Sequence, residues 1–146
     1  MIRICMVGTG YVGLVSGACM ADFGNTVTCV DINRERIEKL ERGEIPFYEP
    51  GLDRLVLKNV REGRLQFSTS LADGMRDAEV VFIAVQTPMS ESGEADLQYV
   101  MKVGEQIGDL LDDYKVVVTK STVPVGTSRA LRKVIAARLK PGASFD

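Results

Sequence analysis

The hydrophobic residues of this chain fall into short apolar runs that alternate with longer segments of helical periodicity. The clearest run, 80–85, is apolar at every position, which is typical of a parallel strand covered by helices on both faces. The clearest helix, 97–111, carries one apolar stripe and follows Asp96, a good N-cap residue. We predict strands at 2–6, 26–30, 65–69, 80–85 and 115–119, and helical segments at 12–23, 34–42, 52–60, 71–76, 97–111 and 128–139. Asn33 is a plausible N-cap for the segment 34–42, and residues 86–95 are predicted to form a polar loop.

Three glycines follow the first strand directly. Gly8, Gly10 and Gly13 have the spacing G-x-G-x-x-G and lead into the helix 12–23. The first glycine allows a tight turn, the second lets the backbone approach a pyrophosphate, and the third lets helix and sheet pack closely. We therefore expect the free N–H groups at the start of this helix to bind the phosphates of a dinucleotide.

An acidic residue stands where such a site needs one. Asp31 ends the second strand, about 20 residues after the glycines, and is predicted to accept both ribose hydroxyls of the adenosine half. Its charge would repel a 2′-phosphate, so we predict NAD rather than NADP. The alternative is that Asp31 merely caps the next helix. Arg36 could stack on the adenine, reach the ribose or be a solvated surface residue, and Arg34 and Arg36 together keep NADP open.

The alternation of strands and helices predicts βαβ units, and hence an α/β fold with a doubly wound parallel sheet. With the glycine motif, this indicates a Rossmann-type dinucleotide-binding domain with strand order 3-2-1-4-5. The chain of 146 residues is the length of one domain, which we assign to 1–146. Residues 145–146 resemble the start of a further strand.

Hydroxyl groups follow two more of the predicted strands. Thr87 comes after the strand 80–85, and Ser121 and Thr122 come after the strand 115–119. Because ligands bind at the carboxyl ends of such strands, Thr87 is expected to contact ribose or nicotinamide. Ser121 and Thr122 have two equal interpretations: they cap the turn, or they hold a water or an anionic oxygen beside a reacting carbon.

Charge and hydropathy exclude several classes of protein. The 18 basic residues are scattered among 20 acidic ones, with a net charge of −2, so no nucleic-acid partner is expected. No apolar run approaches the ~20 residues of a membrane helix, so no membrane partner is expected. The amino terminus is a strand without a cleavage-site pattern, and we expect no signal peptide.

The three cysteines, Cys5, Cys19 and Cys29, each have apolar neighbours. We interpret them as buried free thiols in a reducing, cytoplasmic environment. A metal-binding or reactive set is the weaker alternative, because the chain has no C-x-x-C pair and no histidine. No metal site is predicted.

At this point the chain resembles a known family, the UDP-glucose/GDP-mannose dehydrogenases, over its whole length. The bacterial UDP-glucose 6-dehydrogenase branch is the most similar, and a departure from it is Gln86, where bacterial members usually carry glycine. The segments with the resemblance are 8–17 (GTGYVGLVSG), 43–52 (GEIPFYEPGL), 85–88 (VQTP), 95–100 (ADLQYV) and 120–127 (KSTVPVGT).

The resemblance implies an activity and residue roles. The parent enzyme would convert UDP-glucose, two NAD and water into UDP-glucuronate and two NADH, through an aldehyde held on a cysteine. It implies that the backbone at Tyr11 and Val12 binds the pyrophosphate, that Asp31 and Arg36 bind the ribose, and that Thr122 positions water and stabilises oxyanions.

The resemblance also implies parts that these 146 residues do not contain. The family's catalytic cysteine, its nucleotide-sugar domain and the long central helix through which it forms homodimers would all follow residue 146. None of the three cysteines here matches the catalytic one. The chain is therefore expected to be the NAD-binding domain of a longer enzyme and inactive alone.

Two other functions remain open. Within the same family, the substrate could be GDP-mannose or a UDP-N-acetyl sugar, because the residues that select sugar and base lie outside this sequence. In a different class, the chain could be a stand-alone NAD-sensing module without catalysis. This second alternative is motivated by the sequence, in which we find no catalytic nucleophile together with a general base.

Overall fold

The computed structural model describes residues 1–90 and 93–146. Within these residues, parallel strands form one sheet in the order β3-β2-β1-β4-β5-β6. The strands are β1 (Arg3–Val7), β2 (Thr26–Val30), β3 (Leu65–Ser68), β4 (Val80–Ile83), β5 (Tyr114–Thr119) and β6 (Ser144–Phe145). The predicted α/β fold and the order 3-2-1-4-5 are confirmed, and the suggested strand at 145–146 is β6 on the edge.

Helices cover the two faces of the sheet in separate groups. They are α1 (Tyr11–Asp22), α2 (Arg34–Glu41), α3 (Leu52–Arg61), α4 (Leu71–Met75), α5 (Gln98–Leu110) and α6 (Thr127–Ala136). Helices α1, α2 and α3 contribute to one buried cluster, and α4, α5 and α6 contribute to the other. This is the doubly wound arrangement, with β1 in the middle supplying side chains to both clusters.

Strand β1 shows how the sequence serves both layers. Ile4 and Met6 belong to the cluster under α1, whereas Cys5 and Val7 belong to the opposite cluster. All four are buried, because successive side chains of a strand point to opposite faces and both faces are covered. A continuous apolar run is the pattern that such a strand requires.

Three predicted helix starts differ from the structure by a single residue: α1 and α6 begin one residue earlier than predicted, and α5 begins one residue later. The N-cap of α5 is Leu97 rather than Asp96. The Asp96 amide donates to the Pro88 carbonyl at 2.7 Å, which fixes Asp96 in the preceding loop. Its carboxylate still accepts the Gln98 N–H at 2.9 Å, so it satisfies one of the free amides of the first turn. Positions 91 and 92, in the polar loop predicted at 86–95, lie outside the described residues.

The cysteines are free thiols, as predicted. Cys5 and Cys29 are fully buried on opposite faces of the sheet, as predicted. The predicted burial is wrong for Cys19, which is partly exposed on α1. Burial raises the pKa of Cys5 to about 12, despite the opposing charge of Lys115. Cys5 is therefore a neutral core residue. In the described part of the chain, no helix is long and apolar enough to span a membrane.

Candidate functional site

The carboxyl ends of four strands meet at one edge of the sheet. Val7 pairs with Val30 on one side and with Ile83 on the other, and Ile83 pairs with Thr119. The residues that follow these positions therefore lie next to one another along the carboxyl ends of the strands. The structure thus brings together the segments that carry the predicted site residues: the glycine turn, Asp31, the segment after β4 and the segment after β5.

Gly8 and Gly13 serve close packing within this edge. Gly8 has a φ of +105° and donates its N–H to the Val30 carbonyl at 2.7 Å. A Cβ on Gly8 would stand 2.5 Å from the Ala84 carbonyl oxygen, and a Cβ on Gly13 would overlap the Gly8 carbonyl. Only glycine allows the turn, β4 and α1 to approach one another this closely.

Gly10 differs from the other two because a side chain there would meet no neighbouring atom. It is the N-cap of α1 with an extended backbone that other residues can adopt (φ −69°), and a Cβ there would have no neighbour within 4 Å. The first turn of α1 has no side-chain cap and no acidic residue. The N–H groups at this helix end face open space, so the site fits an anionic group such as a pyrophosphate.

Thr9 is a functional residue that sequence reasoning missed. It lies between two glycines of the turn and is fully buried. Its backbone N–H and its hydroxyl both donate to Oδ2 of Asp31, at 2.9 Å and 2.7 Å. Thr9 thus joins the glycine turn to the predicted ribose-binding carboxylate, across 22 residues of sequence. The sequence carries no signal for this contact, because neither the burial of Thr9 nor its proximity to Asp31 can be seen there.

Asp31 is ionised and held in place from several directions. Its Oδ1 accepts the Asn33 N–H at 2.9 Å, and its Oδ2 also lies 3.4 Å from Nη1 of Arg36. Burial alone would raise the pKa of Asp31, but Asn33, both donors of Thr9 and the Arg36 charge together hold it below its usual value. The N-cap of α2 is Asn33, as predicted, whose side chain accepts the Arg36 N–H at 3.0 Å.

Tyr11 and Val12 form the exposed rim of the glycine turn. Their side chains are 54% and 47% exposed, and their backbone forms the first turn of α1. The Tyr11 hydroxyl donates to Glu49 at 2.5 Å, and its ring lies 5.2 Å from the ring of Phe47. The hydrogen bond to Glu49 raises the pKa of Tyr11. These contacts tie the segment before α3 to the start of α1.

The hydroxyls after β4 and β5 are used differently from one another. Thr87 donates to the Thr122 carbonyl at 3.0 Å, and Ser121 donates to the Val85 carbonyl at 2.6 Å. These bonds connect the two loops and favour the structural interpretation of Ser121. Thr122 is exposed, and its hydroxyl has no partner among the residues that the structure describes.

Two clefts lie away from the glycine turn. Their volumes are about 440 Å³ and 430 Å³; one lies beside α4, near Arg3 and Asp77, and the other beside α6, near Arg132 and Phe145. We assign the site instead to the carboxyl ends of β1, β2, β4 and β5, called the groove below, because the chemistry of the residues there fits a dinucleotide. Across positions 1–90 and 93–146, no three His, Cys, Asp or Glu side chains are grouped to hold a metal.

The chain has extensive similarity to known proteins. Residues 2–146 match the NAD binding domain of the UDP-glucose/GDP-mannose dehydrogenase family. UDP-glucose 6-dehydrogenase TuaD of Bacillus subtilis is 49% identical over 146 residues, and UDP-glucose 6-dehydrogenase of Pseudomonas aeruginosa is 52% identical over 134. The match covers 100% and 92% of this chain but 32% and 30% of those proteins. The chain therefore spans about a third of the length of these relatives.

Solved structures agree. A ternary complex of GDP-mannose dehydrogenase from Pseudomonas aeruginosa matches with a TM-score of 0.94 and 32% identity, covering 99% of this chain and 35% of that one. A UDP-glucose dehydrogenase from Pyrobaculum islandicum matches with a TM-score of 0.94 and 34% identity, covering 99% and 34%. With the match across its whole fold, the chain belongs to the UDP-glucose/GDP-mannose dehydrogenase family and is its NAD-binding domain.

Proposed function

We propose that this chain is the cofactor-binding part of a nucleotide-sugar 6-dehydrogenase whose substrate is UDP-glucose. The observation that carries the proposal is the joined site at the ends of β1 and β2, where an open helix end and an ionised carboxylate lie side by side. One is suited to the pyrophosphate of NAD and the other to its adenosine ribose. When bound, NAD supplies a hydride acceptor.

Residues on both sides of the groove would hold the cofactor. The backbone N–H groups of Tyr11 and Val12 would bind the pyrophosphate, since they belong to the uncapped first turn of α1. Asp31 would accept a ribose hydroxyl, and Arg36 would border the same ribose. Thr87, Ser121 and Thr122 follow the neighbouring strands, and this position supports the proposal that they border the nicotinamide half. Thr122 is the candidate among these for a direct contact with reacting groups, because its hydroxyl is not committed to the fold.

Charge favours NAD over NADP. A 2′-phosphate beside Asp31 would place two anions together, and the lowered pKa keeps this carboxylate charged at neutral pH. Arg36 pairs with the Asp31 carboxylate, so its positive charge is already partly neutralised. The alternative that Arg36 binds the 2′-phosphate of NADP therefore loses support. Arg34 is exposed on α2.

The substrate assignment rests on the relatives. Two proteins at 49% and 52% identity are named UDP-glucose 6-dehydrogenases. Structural neighbours at lower identity are a GDP-mannose dehydrogenase and a UDP-N-acetyl-mannosamine dehydrogenase, and the substrates in these names are the alternatives within the family. Residues outside this chain would select among them.

The catalytic nucleophile is proposed to come from a further domain. Cys5 and Cys29 are fully buried, and burial raises the pKa of both, so neither can present a thiolate to a substrate. Cys19 lies in the helix α1, away from the carboxyl edge of the sheet. We propose that a nucleotide-sugar domain and a central dimer-forming helix complete a homodimeric, cytoplasmic enzyme.

Calorimetric titration of the 146-residue chain with NADH, and with NADPH in parallel, tests the cofactor site. We expect saturable binding of NADH and much weaker binding of NADPH. Asp31→Ala should weaken NADH binding by about 1.5–3 kcal/mol, because it removes charge-assisted hydrogen bonds. Glu38→Ala, an exposed acid on α2, is the matched control and should bind as the wild type does. Equal affinity of Asp31→Ala and wild type would refute the ribose assignment.

A further inference from the structure

The two oxygens of the Asp31 carboxylate carry different numbers of donors. Oδ2 accepts the Thr9 N–H at 2.9 Å and the Thr9 hydroxyl at 2.7 Å, with Nη1 of Arg36 at 3.4 Å. Oδ1 accepts the Asn33 N–H at 2.9 Å. A carboxylate offers about four lone-pair positions, two on each oxygen. Oδ2 is therefore saturated, and Oδ1 keeps one position for a ligand.

Thr9 is the cause of this asymmetry. Two of the donors on Oδ2 come from this one residue, and Thr9 is fully buried in the glycine turn, so the contact is rigid. A backbone donor and a side-chain donor on the same atom fix both the position and the rotation of the carboxylate. Asn33 adds a third fixed donor from the start of α2.

We infer that Thr9 is a positioning residue for the cofactor, which orients Asp31 so that Oδ1 receives one ribose hydroxyl and Oδ2 receives none. This rests on the proposed function, and it narrows the expectation that Asp31 accepts both hydroxyls. Thr9 itself does not touch the ribose. It acts through Asp31, by keeping the free lone pair at one place in the groove.

The ionisation of Asp31 supports the same role. Thr9 contributes two of the hydrogen bonds that lower the pKa of Asp31 against the effect of burial. The charged group that faces the carboxylate, within the described residues, is Arg36 of α2. The glycine turn contributes Thr9, and Ser68 at the end of β3 accepts the Asp31 N–H at 3.1 Å. Removing the Thr9 hydroxyl would therefore raise the pKa of Asp31 while the Arg36 charge stays in place.

The first test compares Thr9→Val with Thr9→Ser. Valine keeps the shape of threonine without the hydroxyl, whereas serine keeps the hydroxyl. NADH should bind Thr9→Val roughly 3- to 10-fold more weakly than wild type, and Thr9→Ser nearly as well as wild type. NMR titration of the Asp31 carboxyl carbon in the ligand-free chain should show a raised pKa in Thr9→Val and recovery in Thr9→Ser. If the Thr9→Val chain does not fold, Thr9→Ala takes its place.

The second test uses NAD analogues that lack the 2′- or the 3′-hydroxyl of the adenosine ribose. With the wild-type chain, one analogue should bind about tenfold or more weakly than NAD and the other within about threefold. Equal losses for both analogues would overturn the single-hydroxyl geometry. If Thr9→Val binds NADH with wild-type affinity and the pKa of Asp31 is unchanged, the role of Thr9 is overturned. The proposed function still stands in that case if Asp31→Ala weakens NADH binding. A wild-type chain that does not bind NADH would overturn the proposed function itself, and the inference with it.

Discussion

The polar side chains on the two sides of the groove are hydrogen-bonded in different ways. On the β1–β2 side, Thr9 and Asp31 are held by short hydrogen bonds at buried or nearly buried positions. On the β4–β5 side, the hydroxyls of Thr87 and Ser121 donate hydrogen bonds to backbone carbonyls of neighbouring loops, and Thr122 is exposed. The first side is preorganised for a ligand, and the second is preorganised mainly for its own fold.

This difference separates binding from chemistry. On the β1–β2 side, a charged group that is already held in place would recognise the part of a dinucleotide that does not react. Little conformational entropy would then be lost when the ligand binds. The other side leaves one hydroxyl uncommitted where the reacting part would lie. Substitutions on the β1–β2 side should therefore change affinity, and those on the β4–β5 side should change stability or reaction rate.

The largest effect is expected from Gly10→Val. The side chain would extend into the open space at the start of α1, where the pyrophosphate is proposed to bind, so two or more charge-assisted bonds would be lost. That loss costs about 3 kcal/mol or more, which is roughly 100-fold in Kd. Calorimetry with NADH measures it, and the melting temperature should stay close to wild type. Normal NADH binding by this variant would show that the glycine turn does not hold the phosphates.

Gly13→Ala provides the contrast within the same motif. Its Cβ would overlap the Gly8 carbonyl, so the helix or the turn must shift. We expect a loss of roughly 1–3 kcal/mol in the free energy of unfolding, measured by urea denaturation. Gly10→Ala is the matched variant, since its Cβ meets nothing, and it should unfold like the wild type. Equal stability of the two variants would contradict the division of roles among the glycines.

Two neighbouring hydroxyls distinguish fold from chemistry on the β4–β5 side. Ser121→Ala removes the donor to Val85 and should cost about 1 kcal/mol of stability. Thr122→Val should leave stability unchanged, because its hydroxyl is not bonded within the described chain. Thermal melts of both variants check this. A destabilised Thr122→Val chain, with an unaffected Ser121→Ala chain, would reverse the assignment.

The smallest effect concerns acid pH. The pKa of Asp31 is lower in the folded chain than in the unfolded one, so the unfolded state binds a proton first as the pH falls. The stability from this carboxyl is complete above the usual pKa of aspartate and is lost as the pH falls through the lower folded value. Urea denaturation of wild type and Asp31→Asn should show a stability difference that shrinks in this range. A difference independent of pH would contradict the lowered pKa.

The sequence predicts one side of the groove better than the other. The turn at Gly8–Gly13 and the position of Asp31 follow from local rules, because a strand, a glycine turn and a helix occupy consecutive residues. The position of Asn33 as the N-cap of α2 is equally local, and the structure confirms it.

Other contacts join residues far apart and leave no periodic trace. Thr9 meets Asp31 across 22 residues, and Ser121 meets Val85 across 36. Their hydroxyls look alike in the sequence, where nothing tells a structural donor from a free one. The start of α5 was misplaced for a similar reason, since the loop contact of Asp96 with Pro88 outweighs its preference for the N-cap position.

The central place of β1 also shapes how the chain is made. This strand leaves the ribosome before both of its partners. It gains one partner when β2 follows, but its other edge pairs only with β4. About fifty residues separate the ends of these two partners, so at roughly 5–20 residues per second the second edge is open for several seconds. An unpaired edge in the middle of an apolar sheet is a template for pairing with another chain. The strand that anchors the mature site is thus the one most exposed to aggregation during synthesis.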